Sequence, residues 1–403
     1  MRVASLDLIR GVAVLGILAI NVAGFAGPSI GALTPNLPTP TDAAGEAAFA
    51  FGFVVFQGKM RALFAILFGA SMALYLDRAE SCGRDGERQQ AIRLAWLMLF
   101  GVLHYVLLWW GDILFAYAVC GLVLLLFHRL PSRLLAASAL TLFLVLHLQG
   151  LLLSLPLAAV EEAVRLGQSG PQEAAVYARY RDRIDVAAAR EWQQYTGGFL
   201  HILATKLRDH PFWLLQGVRD GFGEYLPLMI LGLLLQRTGF FSGAWPSRRL
   251  LAAGLAPLFV GLTASLMALA WLWPRHFPVA AMDAALRYGL ALPNALTAFG
   301  YAALLVLLTP HLTSTSFGRR LACAGRMAFS NYLGSSLLMT GIFYGWGLGL
   351  FGRIGPLEQW AFVLLGWAMI LIWSARWLTF WKQGPLEWLW RSLTQGALLA
   401  NRR

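Results

Sequence analysis

The chain has 403 residues, 58% of them hydrophobic and only 13% charged, with a mean hydropathy of +0.62. No single soluble core hides so many apolar side chains, which excludes an ordinary soluble protein. The net charge of +12 does not point to nucleic acid, because the Lys and Arg residues crowd the short loops that orient a membrane protein instead of lining one surface.

Stretches almost free of charge recur, each near the ~20 residues that cross a bilayer. The whole reads as an all-α, polytopic transmembrane helical bundle of about ten spans. The first stretch, "SLDLIRGVAVLGILAINVAGF", predicts a span over about 8–26. Arg2, Arg10 and "VAGFAG" would suit a cleaved leader, but many spans follow and the stretch reads as the first transmembrane helix. Asp7 and Arg10 share one helical face, and so close to a membrane end the arginine can simply snorkel as an anchor. Asn21 lies close to three turns beyond Arg10 on that face, ~16 Å further across. A polar stripe of this kind points into the bundle or into a cavity.

A loop rich in Pro, Thr and Gly leads to a second span at about 46–77, where Lys59 and Arg61 divide "AAFAFGFVVF" from "ALFAILFGASMALYL". Spans at about 92–110 and 113–128 are joined by the tight "WWGD". His104 falls in the outer half of the third span and Asp112 in the turn. Along a straight helix the two would be ~12 Å apart on different faces, so they meet only if the helix ends near Trp110. A carboxylate that orients an imidazole makes a good general base; a helix-to-helix hydrogen bond is the plain alternative.

A fifth span at about 134–155 precedes a polar segment. There "PQEAAVYARYRDRIDVAAAREWQQY" predicts a helix opening at Pro171, with apolar spacing through Ala175, Tyr177, Ile184, Val186 and Trp192. It either lies on the bilayer surface or covers an outward-facing cavity. Five more spans follow, at about 211–236, 250–273, 286–309, 322–345 and 357–380. The sixth opens with Asp220 and Glu224, and the ninth carries Asn331 and Tyr332. The organisation is a bundle over 1–155, an outer segment over 156–210, a second bundle over 211–381 and a tail over 382–403. In that tail Trp381, Trp388 and Trp390 with Lys382 and Arg391 suit a membrane interface or a lid on a donor site.

With alternating spans and a cytoplasmic N-terminus, Arg2, Arg78, Arg84, Arg129, Arg237 and Arg319 all fall inside, and the short outer loops hold little beyond Arg275 and Arg353. Both termini are then cytoplasmic, the long outer segment being exempt from the rule. A charge facing lipid costs on the order of 2.5–3.5 kcal/mol, so Lys59 or Arg61 is expected to pair with Asp112 or Glu224. Such pairs either brace the helices or line a substrate or proton site. Cys82, Cys120 and Cys323 lack CxxC spacing and suggest neither disulfides nor zinc. With no Walker A, no HExxH and no GxGxxG after a strand, ATP-driven transport and zinc hydrolysis are disfavoured, and no tightly bound cofactor or metal is expected.

The segments "SLDLIRGVAVLGILAIN", "MRALFAILFGASMAL", "LHYVLLWWGDIL", "GRMAFSNYLGSS" and "GPLEWLWRSLTQG" resemble the YeiB-like family of bacterial inner-membrane proteins, whose C-terminal half is a domain of unknown function. The resemblance covers nearly the whole chain outside the outer segment. The N-terminal half is similar to the transmembrane acyltransferase superfamily, which includes the heparan-α-glucosaminide N-acetyltransferases and the integral-membrane O-acyltransferases and begins with Asp-x-x-Arg-Gly. In the O-acyltransferases a histidine stands where this chain has Asn21, and asparagine cannot serve as a base.

The resemblance implies an inner-membrane protein that transfers an acyl group from cytoplasmic acyl-CoA to a small molecule or glycan outside. His104 is then the expected base, oriented by Asp112, with Lys59 or Arg61 stabilising the oxyanion. Asp7, Arg10, Asn21, Glu224, Asn331 and Tyr332 complete the donor and substrate path. A secondary transporter of a small amphipathic or anionic molecule, and a non-catalytic scaffold, stay open as alternatives. Besides the lipid bilayer and the substrate, the aromatic-rich surface accommodates a homodimer without demanding one.

Overall fold

The computed structural model describes residues 3–403; Met1 and Arg2, the latter counted among the basic residues above, lie outside them. About 80% of the chain is helical and no strand forms among the described residues. Helix α1, Ala4–Ala26, is buried along most of its length and so stands at the centre of the bundle. Helices α2, Ala43–Val55, and α3, Lys59–Ser81, make one crossing interrupted at 56–58. Gly58 sits at φ +75°, a left-handed geometry that glycine adopts without a Cβ penalty.

Helix α4, Gly86–Leu107, and α5, Leu114–Phe127, flank the Trp-Trp-Gly-Asp turn. Helix α6, Ser132–Arg165, runs 34 residues, longer than the ~20 a bilayer needs, and therefore projects beyond it. The outer segment folds as α7, Pro171–Tyr195, and α8, Phe199–Asp209. Then come α9, Trp213–Arg237, and α10, Ser247–Leu272. Helix α11, Val279–Ala284, runs through a π turn at Ala285–Gly289 into α12, Ala291–Ser314. Helices α13, Ser316–Arg326, and α14, Ala328–Phe343, are separated at Met327, and α15, Pro356–Phe380, leads to the tail helix α16, Pro385–Gln395.

Among the described residues, seven segments are long and apolar enough to cross a membrane: 4–26, 43–81, 86–107, 132–165, 247–275, 291–314 and 356–380. The other expected spans differ for identifiable reasons. Helix α5 is apolar but only 14 residues long. Helix α9 carries Arg219, Asp220 and Glu224 in its first half. The ninth is the broken pair α13–α14.

The start of α1 and the tail share one end of the bundle. The Ser5 hydroxyl donates to Phe241 O at 2.5 Å in the α9–α10 loop, and the Trp390 indole of α16 donates to Arg93 O of α4 at 2.8 Å. At the opposite end α7 and α8 form a cap. The backbone N–H and hydroxyl of Ser29 donate to the Glu191 carboxylate at 2.6 and 2.7 Å, and the Tyr195 ring lies 4.6 Å from that of Tyr344. The interior is closed by small residues. A Cβ at Gly69 would stand 1.8 Å from Met229 O, and one at Gly232 1.8 Å from Ile66 O, so α3 and α9 touch backbone to backbone, as small residues allow in membrane bundles.

Candidate functional site

A cavity of about 860 Å³ lies at the α7–α8 end, walled by α1, α3, α6, α9, the α4–α5 turn and the π turn. Two irregularities of the backbone build it. The break at 56–58 brings Gln57 and Arg61 to the wall, and the π turn brings Arg287 and Tyr288. Such bulges recur where helices must present side chains to a site.

Its charges are paired. Arg61 Nη2 lies 2.8 Å from Glu224 Oε2 and its Nε donates to Oε1 at 3.2 Å, a fork-to-fork contact. Tyr117 donates to Arg61 O at 2.9 Å. Arg287 reaches Asp283 at 2.6 Å and Asp220 at 3.3 Å, and Asp220 also meets Arg219 at 2.9 Å. Of the two candidate cations, then, Arg61 takes the carboxylate of Glu224. Lys59 is 1% exposed and donates to Phe53 O at 3.0 Å, closing a carbonyl at the end of α2. It does not line the cavity, so of the two cations expected at the site only Arg61 reaches it.

Asn21 and Tyr332 line the cavity, and Tyr332 donates to Gly111 O at 3.2 Å. His104 and Asp112 meet because α4 ends at Leu107 and the chain turns back. Nδ1 of His104 is 2.8 Å from Asp112 Oδ2, while Asp112 Oδ1 accepts from Phe115 N at 2.8 Å. On its other side His104 Nε2 is 2.9 Å from the Ser336 hydroxyl. Both the His104 and Asp112 side chains are 0% exposed, and His104 does not line the cavity. The three side chains hold the Trp109–Ile113 turn that forms part of the wall, and neither imidazole nitrogen faces the space inside.

Asn331 lies elsewhere. It bridges the α13–α14 break to α15, donating to Ala324 O and the Ser374 hydroxyl at 2.9 Å each and accepting from the Trp373 indole at 2.7 Å. Asp7 and Arg10 pair at 3.1 Å at the end shared with α16, where Arg10 also donates to the Ser71 hydroxyl at 2.5 Å. Arg10 and Arg391 are within electrostatic reach of Arg93, whose guanidinium sits 4.5 Å from the Tyr75 ring and 4.3 Å from the Trp390 ring. Three guanidiniums, Arg10, Arg93 and Arg391, thus gather at that end beside Asp7, where Trp390 of α16 packs on Arg93.

The cap over the cavity end carries a buried lysine, Lys206, and a half-buried glutamate, Glu191. Burial pushes the Lys206 ammonium down to about 7; its Nζ donates to Tyr105 O and Leu108 O, at 2.9 and 3.2 Å, the last turn of α4. Burial likewise raises the Glu191 carboxyl, against the opposing effect of its hydrogen bonds from Ser29.

Three contributors escaped sequence reasoning. Ser336 is one serine in "SNYLGSS", without a hydropathy signal. Arg287 depends on the π turn. His147, in "LFLVLHLQG", stands alone in an apolar span, a signal of the kind that singled out His104.

Residues 235–397 match a family model described as a protein of unknown function (DUF418). The chain is 33% identical over 401 residues to the uncharacterized protein YeiB of Escherichia coli (strain K12), covering 98% of this chain and 96% of that one. It is 29% identical over 400 residues to the uncharacterized protein YxaH of Bacillus subtilis (strain 168), covering 98% and 94%. No solved structure matches the chain.

Proposed function

The chain belongs to the YeiB-like family of membrane proteins with a DUF418 region, and from that premise we propose that it is a membrane-embedded acyltransferase of the bacterial inner membrane. It moves an acyl group from a cytoplasmic acyl-CoA to a small molecule or glycan on the other side. The observation that carries this reading is the two-ended polarity of α1. Arg10 stands among the guanidiniums gathered at the α16 end, and Asn21 stands in the wall of the cavity near the opposite end. Group transfer across a bilayer needs two such places, one for an anionic thioester donor and one for the acceptor. The Asp-x-x-Arg-Gly start of α1, Asp7 to Gly11, which resembles the opening of the transmembrane acyltransferases, is in keeping with it.

In this reading Arg10, with Arg93 and Arg391, draws the donor phosphates to the α16 end, both termini being cytoplasmic. Arg61 stabilises the oxyanion at the cavity, where a fixed cation in a poorly solvated site is strongest. The His104–Asp112–Ser336 string keeps the wall in register. A second reading, secondary transport, draws on the interrupted α2–α3 crossing and the π turn, because transporters bind substrate at discontinuous helices.

Titration of acetyl-CoA and longer acyl-CoAs into the nanodisc-embedded protein and its Arg10→Ala variant tests the proposal. Saturable binding that weakens at least tenfold in the variant is expected. No binding of any thioester to the wild type would sink the donor site and leave transport as the working reading.

A further inference from the structure

We infer that His147 is the general base of the cavity, acting on a hydroxyl- or amine-bearing acceptor; this rests on the acyl-transfer reading above. Helix α6 holds the residue at the wall by close packing on either side. Leu146 packs on Gly223 of α9, where a Cβ would come within 2.9 Å of it, and the Tyr288 ring of the π turn covers Gly150 so closely that a Cβ there would meet it at 2.2 Å. The imidazole packs against the Phe143 ring, with ring centroids 4.2 Å apart and the planes tilted by 36°.

The hydrogen bonding fixes the tautomer. His147 Nδ1 lies 2.7 Å from Phe143 O, and a carbonyl oxygen only accepts, so Nδ1 carries the proton. In the neutral ring Nε2 then holds a lone pair. No side chain or backbone group of the described residues takes it, and the ring lines the cavity.

The other proton acceptors of the wall are committed. Glu224 is forked by Arg61, Asp220 and Asp283 face Arg287, and Asp112, though at the wall, has both oxygens engaged by Phe115 N and His104. A carboxylate held by a guanidinium is a poor base, whereas a neutral imidazole with one nitrogen anchored is the usual arrangement for taking a proton. Leu153, one helical turn and a half beyond His147, lines the same cavity while 75% exposed on the outside of α6. The mouth thus reaches the lipid-facing surface, and an acceptor can arrive from the bilayer as well as from the aqueous side.

The step balances. Nε2 takes the proton of the acceptor O–H or N–H as that atom attacks the thioester carbonyl carbon. A C–O or C–N bond forms, the C–S bond breaks, and CoA leaves as the thiolate, which ends protonated as the free thiol once His147 gives its proton back.

The test uses the full chain in nanodiscs, with acetyl-CoA as donor and two acceptor probes, ethanolamine and the same amine carried by phosphatidylethanolamine in the disc. Thiol release, donor affinity and labelling by diethyl pyrocarbonate are measured for wild type and His147→Gln, whose amide can still donate to Phe143 O. Labelling of His147 well ahead of His104 is expected, together with at least a ~100-fold fall in thiol release in the variant at unchanged donor affinity. A preference for one probe identifies the side from which the acceptor comes. Transfer by the variant within about threefold of wild type, or His147 as resistant to the reagent as His104, overturns the base assignment alone. A wild type that releases no thiol with either probe overturns the acyl-transfer reading and this inference together.

Discussion

Arg61 on α3 and Glu224 on α9 stand 163 residues apart in sequence and 2.8 Å apart in space. Each would leave the other's charge uncompensated at the cavity wall if removed. The double variant Arg61→Ala/Glu224→Gln is therefore expected to lose less stability than the two single variants summed, with a coupling of about 0.5–3 kcal/mol. Unfolding of the four proteins in mixed micelles measures the cycle. Strict additivity would show that the contact contributes nothing.

The same two helices cross where glycine is the only side chain with room. A methyl at Gly69 or Gly232 would sit 1.8 Å from a carbonyl oxygen of the facing helix, and backbone cannot swing aside as a side-chain end can. Gly69→Ala and Gly232→Ala are each expected to cost about 1–3 kcal/mol or more, and to widen the gap that positions Arg61 against Glu224. A thermal midpoint equal to wild type in both would mean that α3 and α9 do not approach this closely.

The cap should respond to pH through Lys206. Its pKa falls from 10.5 to about 7 on folding, so between those values the unfolded chain binds more protons and stability rises with pH. Below about 7 the full penalty of the buried charge is present. Glu191, raised from 4.5 by burial, acts in the opposite sense, stability falling as pH climbs above 4.5. Hydrogen exchange in α7 and α8 should slow from pH 7 to 10 once corrected for intrinsic rates, and Lys206→Met should lose that slope. An identical slope in the variant would assign it to other groups.

Much of this arrangement was legible in the sequence because membrane helices announce their polar residues. Arg61 and Glu224 stood out as charges in apolar runs, and cost alone demanded partners. His104 and Asp112 depended on one condition, an early end to α4, which Leu107 meets. Lys59 sits only two residues from Arg61, yet points the other way because the chain breaks at 56–58 and then turns as a helix. Periodicity in a broken segment cannot say which of two neighbours faces inward. Asn331 and Tyr332 split in the same manner, one to α15 and one to the cavity, because adjacent helical positions are about 100° apart. His147 was missed since its role comes from what surrounds it, namely the glycines that let α6 close on α9 and the π turn.

The His104–Asp112–Ser336 string makes a last prediction, on protons. Asp112 accepts from Phe115 N through Oδ1 and faces His104 Nδ1 through Oδ2, so the carboxylate requires a proton on Nδ1. His104 Nε2 must then accept from Ser336. In Asp112→Asn the amide oxygen keeps the Phe115 bond and the amide nitrogen confronts His104. The ring must move its proton to Nε2 and donate to Ser336, whose hydroxyl then turns to Tyr332 O, 3.2 Å away. Every group keeps a partner, so the expected loss is modest, about 1–3 kcal/mol, and the inverted tautomer should be visible in the nitrogen-15 shifts of His104. Unchanged shifts would mean that the carboxylate does not set the tautomer. Because neither His104 nor Ser336 lines the cavity, thiol release in this variant should fall far less than in His147→Gln. The reverse order would move the base back to His104.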